Sequence, residues 1–465
     1  MNGTNAPVTL AISGKHYTAL RKHLYPGDGK EAVAFAFLGR ARRPDSELLL
    51  VREIVCPAHD LCTRSPYRVT WPGTLLDKVL TRALAEGLGV VKIHSHPTGY
   101  PWFSETDDQA EADLFPSVYG WLGDSGPMAS AIMLPDGKIV GRVIRETGIG
   151  EPLRSIRVAG DDFLFWPDPS ELTVPEHAVR VAQAFGDGTY ARLRNLKVGV
   201  VGCSGTGSIV VEQLARNGVG KLVLVDPDHI EKKNLNRILN STARDARDQA
   251  NKTLVQQQAI NAMEFGCEVT VHPYDLRDRR ALLDLSTCDV LFGCMDSIDG
   301  RHILNKLATS YLIPYIDLGV RLDADGRGNV ESIWLAVHTL QPGGSSLKSR
   351  RVYDQAGMEA AFMLHGSPDE YERMKKQGYV RNVTVERPAV ISVNMQVSAM
   401  AINELLARLH GFRSAPNSAY AVRRIALHDD DASSNESDGE PCPELLKQVG
   451  RGDQSPFLGM LSLGD

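Results

Sequence analysis

Apolar positions in the first third of the chain either run in short continuous blocks or alternate with polar ones. This patterning predicts strands at residues 31–39 (EAVAFAFLG), 47–55 (ELLLVREIV) and 89–93 (GVVKI). Residues 75–86 carry helical spacing, and residues 129–133 and 138–144 predict a hairpin turning at Pro135-Asp136-Gly137. Together they predict a mixed α/β domain over residues 1–150. Periodicity lapses over residues 151–175, where Pro167, Pro169 and Pro175 gather, so a linker is expected there. A helix is then expected at 176–185, a strand at 197–201, a helix at 208–217 and a strand at 221–226, which is a βαβ unit. A strand at 289–294, a helix at 301–311 and a strand at 315–318 continue the alternation. The expectation for residues 176–425 is a Rossmann-like domain with a mainly parallel sheet. Residues 426–465 contain an acidic run without apolar spacing (DDDASSNESDGE) and are expected to be a disordered tail. The closing PFLGMLSLG either docks or frays.

Composition narrows the class. At 465 residues, two or three domains are expected, and 43% hydrophobic with 23% charged residues is ordinary for a soluble globular chain. A net charge of −6 leaves no bulk basic footprint, so neither nucleic acid nor an anionic membrane is an expected partner. No apolar run approaches a membrane-spanning length, and residues 1–9 lack the basic and apolar regions of a secretory leader. The seven cysteines are scattered without a CxxC pair, which suits a reducing, cytoplasmic compartment.

The first chemical signal is His94-Ser95-His96-Pro97, followed by Ser104 and Asp107. His94 and His96 stand two apart at a strand end, so their imidazoles leave one face. Asp107 lies in a run that starts like a helix, with Ser104 as its cap. Two histidines and one carboxylate leave a fourth tetrahedral position on Zn²⁺ for water, the arrangement of a catalytic site. Glu31 is the candidate general base, and Ser104 either caps the helix or donates to a developing oxyanion. Taken singly, each has a plain reading as a surface, capping or strand-end residue; the joint spacing is what points to chemistry. His94, His96, Pro97, Ser104 and Asp107 resemble the motif of the JAB/JAMM (MPN-type) metalloproteases over roughly residues 8–147. That resemblance implies zinc on His94, His96 and Asp107, Glu31 as base on the zinc water with Glu47 and Glu53 as alternatives, and Ser104 assisting the tetrahedral intermediate. It also implies cleavage of peptide or isopeptide bonds after the C-terminal glycine of ubiquitin-like proteins.

The second signal is Gly202-Cys203-Ser204-Gly205-Thr206-Gly207, between a strand and a helix, with Asp226 at the next strand end. Such a turn offers amides to phosphate and the acid offers oxygens to ribose, which suits NAD equally well. Asn234, Arg237, Lys252 and Asp296 change that balance. Cations and a carboxylate at the phosphates suit a magnesium triphosphate, with Asp296 on Mg²⁺. VGCSGTGS, GVGKLVLVDPDHIEKKNLNR, Lys252 and CMDSIDGR resemble the ThiF/MoeB family, the adenylation fold of ubiquitin-activating enzymes, over about residues 176–410. The resemblance implies ATP and Mg²⁺, Asp226 on the ribose, Arg237 and Lys252 on the phosphates, and Arg180 as an arginine finger supplied across a homodimer. Ser204 stands where many members carry glycine. Ser346-Leu347-Lys348-Ser349 stands where the family usually has a zinc-binding CxxC. The only cysteine after Asp296 is Cys442, a thioester candidate whose plain reading is an incidental exposed thiol.

Both resemblances point to one substrate, a ubiquitin-like or small carrier protein with a Gly-ending C-terminus. The expected function is trimming or deconjugation of that tail by the first domain and its adenylation by the second, with a possible conjugating-enzyme partner. Such fusions resemble components of bacterial ubiquitin-like conjugation systems, several of them linked to anti-phage defence. Two rivals stand beside this: maturation and adenylation of a sulfur carrier or peptide in biosynthesis, and a regulatory scaffold whose protease site is idle.

Overall fold

The computed structural model describes residues 6–123, 126–146, 150–167, 173–325, 327, 329–380, 382–383 and 390–464. The chain divides into two units. One comprises residues up to Pro167 together with Ser310–Leu312 and Gln448–Gln454, the other the remainder. No described helix is long and apolar enough to cross a membrane.

The first unit is built on a nine-stranded sheet. Its middle strand, Val33–Arg43, runs between Ser46–Val55 and Gly89–Ser95 and is antiparallel to both. Side chains alternate across a strand, so its two faces feed two cores. Val33, Phe35 and Phe37 pack with Val79, Leu80 and Ala83 of helix Gly73–Glu86 and with Phe115 and Val118 of helix Glu105–Leu122. Ala34, Ala36 and Leu38 pack on the other side with Leu20 and Leu24 of helix Gly14–Leu24. Burial on both faces explains why these strands read as near-continuous apolar runs. The expected hairpin is present, Met128–Met133 pairing with Ile139–Ile144, and Gly137 takes φ +90° in its turn.

Two expectations from the sequence are corrected. The linker does not begin at residue 151. Ser155–Ala159 lies parallel to Val8–Ser13, and Phe163–Trp166 pairs back on it, so these residues complete the first sheet. Both strands are too short to show a period. The rest of the expected linker includes residues 168–172, which lie outside the described residues. Nor is the tail shapeless: Ser434–Glu436 pairs with Val422–Ala426, and Pro443–Leu446 is helical. Its acids have specific partners, Arg424 for Glu436 at 2.9 Å and Arg350 for Asp438 at 2.9 Å. Local composition cannot register partners so distant in sequence. Of the final apolar stretch, Phe457 and Leu458 are buried.

The second unit holds an eight-stranded sheet. Glu268–His272, Lys221–Val225, Lys197–Val201, Val290–Gly293 and Tyr315–Ala324 are parallel in that spatial order, and Val330–Leu340 and the two strands beyond it are antiparallel. The sheet is thus mainly parallel around the Gly202 turn, with crossover helices such as Gly207–Arg216. In such sheets ligands lie outside the carboxyl ends of the strands, where Gly202, Asp226 and Asp296 are found. The Ser346–Ser349 turn is closed by its own hydroxyls: Ser349 Oγ accepts from the Ser346 amide at 2.8 Å, and Ser346 Oγ from the Ser349 amide at 3.0 Å.

Candidate metal and nucleotide sites

His94 sits near the end of strand Gly89–Ser95 and His96 just past it. The Nε2 atoms of the two rings are 3.0 Å apart. Asp107 enters from the first turn of helix Glu105–Leu122, with Oδ1 2.9 Å from His94 Nε2 and Oδ2 3.5 Å from His96 Nε2. Zinc bonds of roughly 2.0–2.1 Å in a tetrahedron separate their donors by about 3.3 Å. The observed spacings bracket that value, so the donor set fits the ion. Tyr100 O accepts from His96 Nδ1 at 2.9 Å, which puts the ring proton there and leaves Nε2 with its lone pair.

The charge states of His94 and Asp107 agree with a ligand role. Burial, and after it the Lys92 ammonium, pushes His94 down to about 4, so its ring is neutral. For Asp107, burial works upward, but bonds from His94, His96 and Ser104 outweigh it and keep the carboxylate ionised. Burial also opposes protonation of His96, yet Asp107 and the Tyr100 carbonyl leave it above its ordinary value.

Glu31 precedes the strand Val33–Arg43 instead of opening it. Its amide donates to Ser65 O at 2.8 Å, and its carbonyl accepts from Arg64 Nε at 2.7 Å. It shares a cleft of about 590 Å³ with His94, Asp107 and Lys92, walled by Arg68–Thr70. Burial raises its carboxyl to about 7. The alternatives are held elsewhere, Glu47 by Arg42 at 3.2 Å and Glu53 by Arg82 at 2.7 Å. Ser104 is a capping residue in the structure: Asp107 N donates to its Oγ, and its own hydroxyl donates to Asp107 Oδ2 at 2.7 Å. That second bond orients the candidate ligand.

In the second unit the glycine turn has physical reasons for its glycines. Gly202 takes φ +89°, and a Cβ on Gly207 would lie 1.7 Å from Gly202 O. Asp226, 4% exposed, accepts from Cys203 N at 2.6 Å and Asp228 N at 2.9 Å, locking the turn to the neighbouring strand end. Each carboxylate oxygen keeps a second lone pair for a ribose hydroxyl. Lys252 Nζ rests 2.7 Å from Asp228 and 4.0 Å from Asp226. The Arg237 stem lies over Gly205, whose added Cβ would be 3.3 Å from Arg237 Cδ. Asp296 is exposed and follows Met295, whose amide would be 3.1 Å from a Cβ on Gly202.

Two candidates are placed differently from the rest. Asn234 is buried and caps its own turn, its Oδ1 accepting from Glu231 N at 3.0 Å. Arg180 is exposed on helix Val179–Phe185 and donates to Gln183 at 3.0 Å. The reading of Cys442 as an exposed thiol in a disordered tail is overturned. It is 6% exposed and its amide donates to Gly344 O at 3.0 Å, because the tail around it is folded.

The model of the ThiF family matches residues 177–435, more than half of the chain. The chain belongs to the ThiF family. Residues 13–134 match prokaryotic homologs of the JAB domain, so a JAB domain is fused to a ThiF domain. Among curated proteins, the chain is 33% identical to adenylyltransferase and sulfurtransferase MOCS3 of Drosophila ananassae over 144 residues, 31% of each chain. It is 27% identical to ubiquitin-like modifier-activating enzyme 5 of Dictyostelium discoideum over 147 residues, 29% of this chain and 38% of that one. The matches thus span about a third of those relatives. A crystal structure of E. coli MccB with ATP is similar at a TM-score of 0.43 and 20% identity, covering 59% of this chain and 75% of that one.

Reading by motif missed groups at both sites. In the ThiF domain Asn251 Nδ2 binds the carbonyls of Asp226 and Asp228 at 3.1 and 3.0 Å. Ser398, on helix Ile391–Leu409, donates to Thr206 O at 3.0 Å. The Asp226-Pro227-Asp228 repeat was a visible signal for Asp228; nothing local marked Ser398. In the JAB domain the missed group is Lys92, a cation at an inward strand position two before His94.

Proposed function

We propose that the chain is a two-part enzyme acting on the C-terminal tail of a ubiquitin-like or small carrier protein that ends in glycine. The JAB domain hydrolyses a peptide or isopeptide bond at that tail, and the ThiF domain adenylates the freed carboxylate, in a bacterial ubiquitin-like conjugation pathway. The observation that carries this reading is the convergence of His94, His96 and Asp107, two of which, His94 and Asp107, line one cleft with Glu31, on a chain of the ThiF family. Relatives named as an adenylyltransferase and a ubiquitin-like modifier-activating enzyme support it.

At the JAB site, His94 Nε2, His96 Nε2 and Asp107 would hold zinc, which when bound supplies a Lewis acid and lowers the pKa of water. Glu31, raised to about 7 by burial, takes the proton of the attacking water and returns it to the departing nitrogen. Ser104 orients Asp107 and donates to the tetrahedral oxygen when its hydroxyl leaves that carboxylate.

At the ThiF site, amides of the turn ahead of helix Gly207–Arg216 face the phosphates, and Asp226 accepts from a ribose hydroxyl. Lys252 leaves Asp228 to neutralise phosphate charge alongside Arg237, whose amide is held by the Asn234 carbonyl at 3.0 Å. Asp296 would hold Mg²⁺, which when bound neutralises phosphate charge. The tail carboxylate attacks the α-phosphorus; an acyl–oxygen–phosphorus bond forms, and the bond to pyrophosphate breaks. Arg180, exposed on its helix, serves the site of a second copy in a homodimer. The burial of Cys442 favours transfer of the acyl group to an acceptor outside the chain, an amine, a sulfur donor or a conjugating enzyme, over a thioester on this cysteine.

The test pairs two assays on the full chain. ATP–pyrophosphate exchange driven by a small Gly-ending protein, and chelator-sensitive cleavage of the same protein extended past its glycine, are expected together. Exchange without cleavage by the zinc-loaded chain leaves the idle-protease reading. Absence of both sinks the proposal.

A further inference from the structure

Helix Glu105–Leu122 meets strand Gly89–Ser95 rung by rung. Asp107 faces His94, Glu111 faces Lys92, and below them Phe115 and Val118 share a core with Val90. The helix residues advance by three or four and the strand residues by two, so both sets lie on facing surfaces. The middle rung is charged and buried, with Lys92 and Glu111 each 4% exposed.

Glu111 is gripped by three adjacent strands. Its carboxylate lies 2.8 Å from Lys92 Nζ, accepts from the Ser130 hydroxyl, and accepts from Arg142 Nε at 2.8 Å and Nη2 at 2.6 Å. Lys92, Ser130 and Arg142 form one row across the sheet, Lys92 opposite Ser130 and Ser130 opposite Arg142. A buried carboxylate with four charge-assisted or hydroxyl bonds has no alternative position of similar energy. One helical turn separates it from Asp107, so the row fixes how far Asp107 reaches toward His94 and His96.

We propose that Glu111 is a positioning residue for the metal centre: the Lys92–Ser130–Arg142 row sets the Asp107 carboxylate at ligand distance. The inference rests on the reading of His94, His96 and Asp107 as metal ligands. It differs from a purely electrostatic role, in which only the charge at 111 matters. Glu111→Asp keeps the charge and shortens the reach by one methylene, which separates the two.

The experiment titrates the metal-free full chain with Co²⁺ and Zn²⁺ against a competing chelator, and records the visible bands of bound Co²⁺. Glu111→Asp is expected to lose about 10- to 100-fold in affinity, the usual effect of disturbing groups behind a ligand, and to alter the Co²⁺ bands. Wild-type affinity and bands in a folded Glu111→Asp chain overturn the proposal. Should that variant not fold, Arg142→Gln is measured instead. It removes two donors from the same carboxylate and one from Asp108, and a loss of about 10-fold is expected; an unchanged affinity overturns the proposal equally. His94→Ala separates the underlying reading. If it binds Co²⁺ as the wild type does, these residues are not the ligands and the metal reading itself fails.

Discussion

The JAB site gathers its donors from one short stretch, His94 to Asp107, where a strand end and the following helix start supply all three. The ThiF site gathers its groups from loops spread between Gly202 and Asp296, and most of them are engaged with neighbours. Lys252 rests on Asp228, Arg237 donates to Lys233 O at 2.7 Å, and Asn234 caps its own turn. The contrast matches the ligands proposed for the two sites. A metal tolerates only tenths of an ångström, so its donors come from rigid adjacent elements and are fixed from behind. A triphosphate is a large diffuse charge, and long cations can leave an internal carboxylate to meet it.

Removing a group should therefore act all-or-none in the first site and by degrees in the second. His94→Ala is expected to remove the metal and lower tail cleavage by at least about 10³-fold, with pyrophosphate exchange unchanged; metal content and both assays check it. Lys252→Ala is expected to lower exchange by roughly 10²–10³-fold while metal content and cleavage hold. A comparable loss of cleavage in that variant would erase the contrast. Glu31→Gln is expected to keep the metal yet lose about 10²-fold in cleavage, marking it as a proton carrier instead of a ligand.

The last effect concerns pH and stability instead of activity. His302 of the ThiF domain is buried and its pKa is lowered to about 4. Below its ordinary value of 6.5 the unfolded chain binds a proton that the folded domain refuses, so stability is full above 6.5 and falls towards pH 4. The slope is about 1.4 kcal/mol per pH unit, giving at most about 3 kcal/mol. Urea midpoints between pH 7 and 4 measure it as the share of the dependence that His302→Asn removes, since burial also lowers His94 and His338.

Legibility from sequence followed the same divide. The histidine pair, Ser104 and Asp107 are near neighbours along the chain, and their spacing, with the JAB/JAMM resemblance it carries, pointed to the cluster. Strands buried on both faces, such as Val33–Arg43, showed as apolar runs and could be placed to within a few residues. Pairings between distant segments were hidden: Val8–Ser13 beside Ser155–Ala159, or Glu436 on Arg424, turn what read as linker and tail into sheet. Asn234 shows the converse limit. A polar residue in the right motif can be spent on its own turn, and only coordinates separate a cap from a contact.

The hydroxyl-closed turn at Ser346 and Ser349 makes that stretch of the ThiF domain indifferent to the supply of transition-metal ions. On the proposed reading, scarcity of zinc would idle the JAB domain while this turn kept its shape. Under the proposed function, ion supply alone would then shift the balance from tail removal toward tail activation.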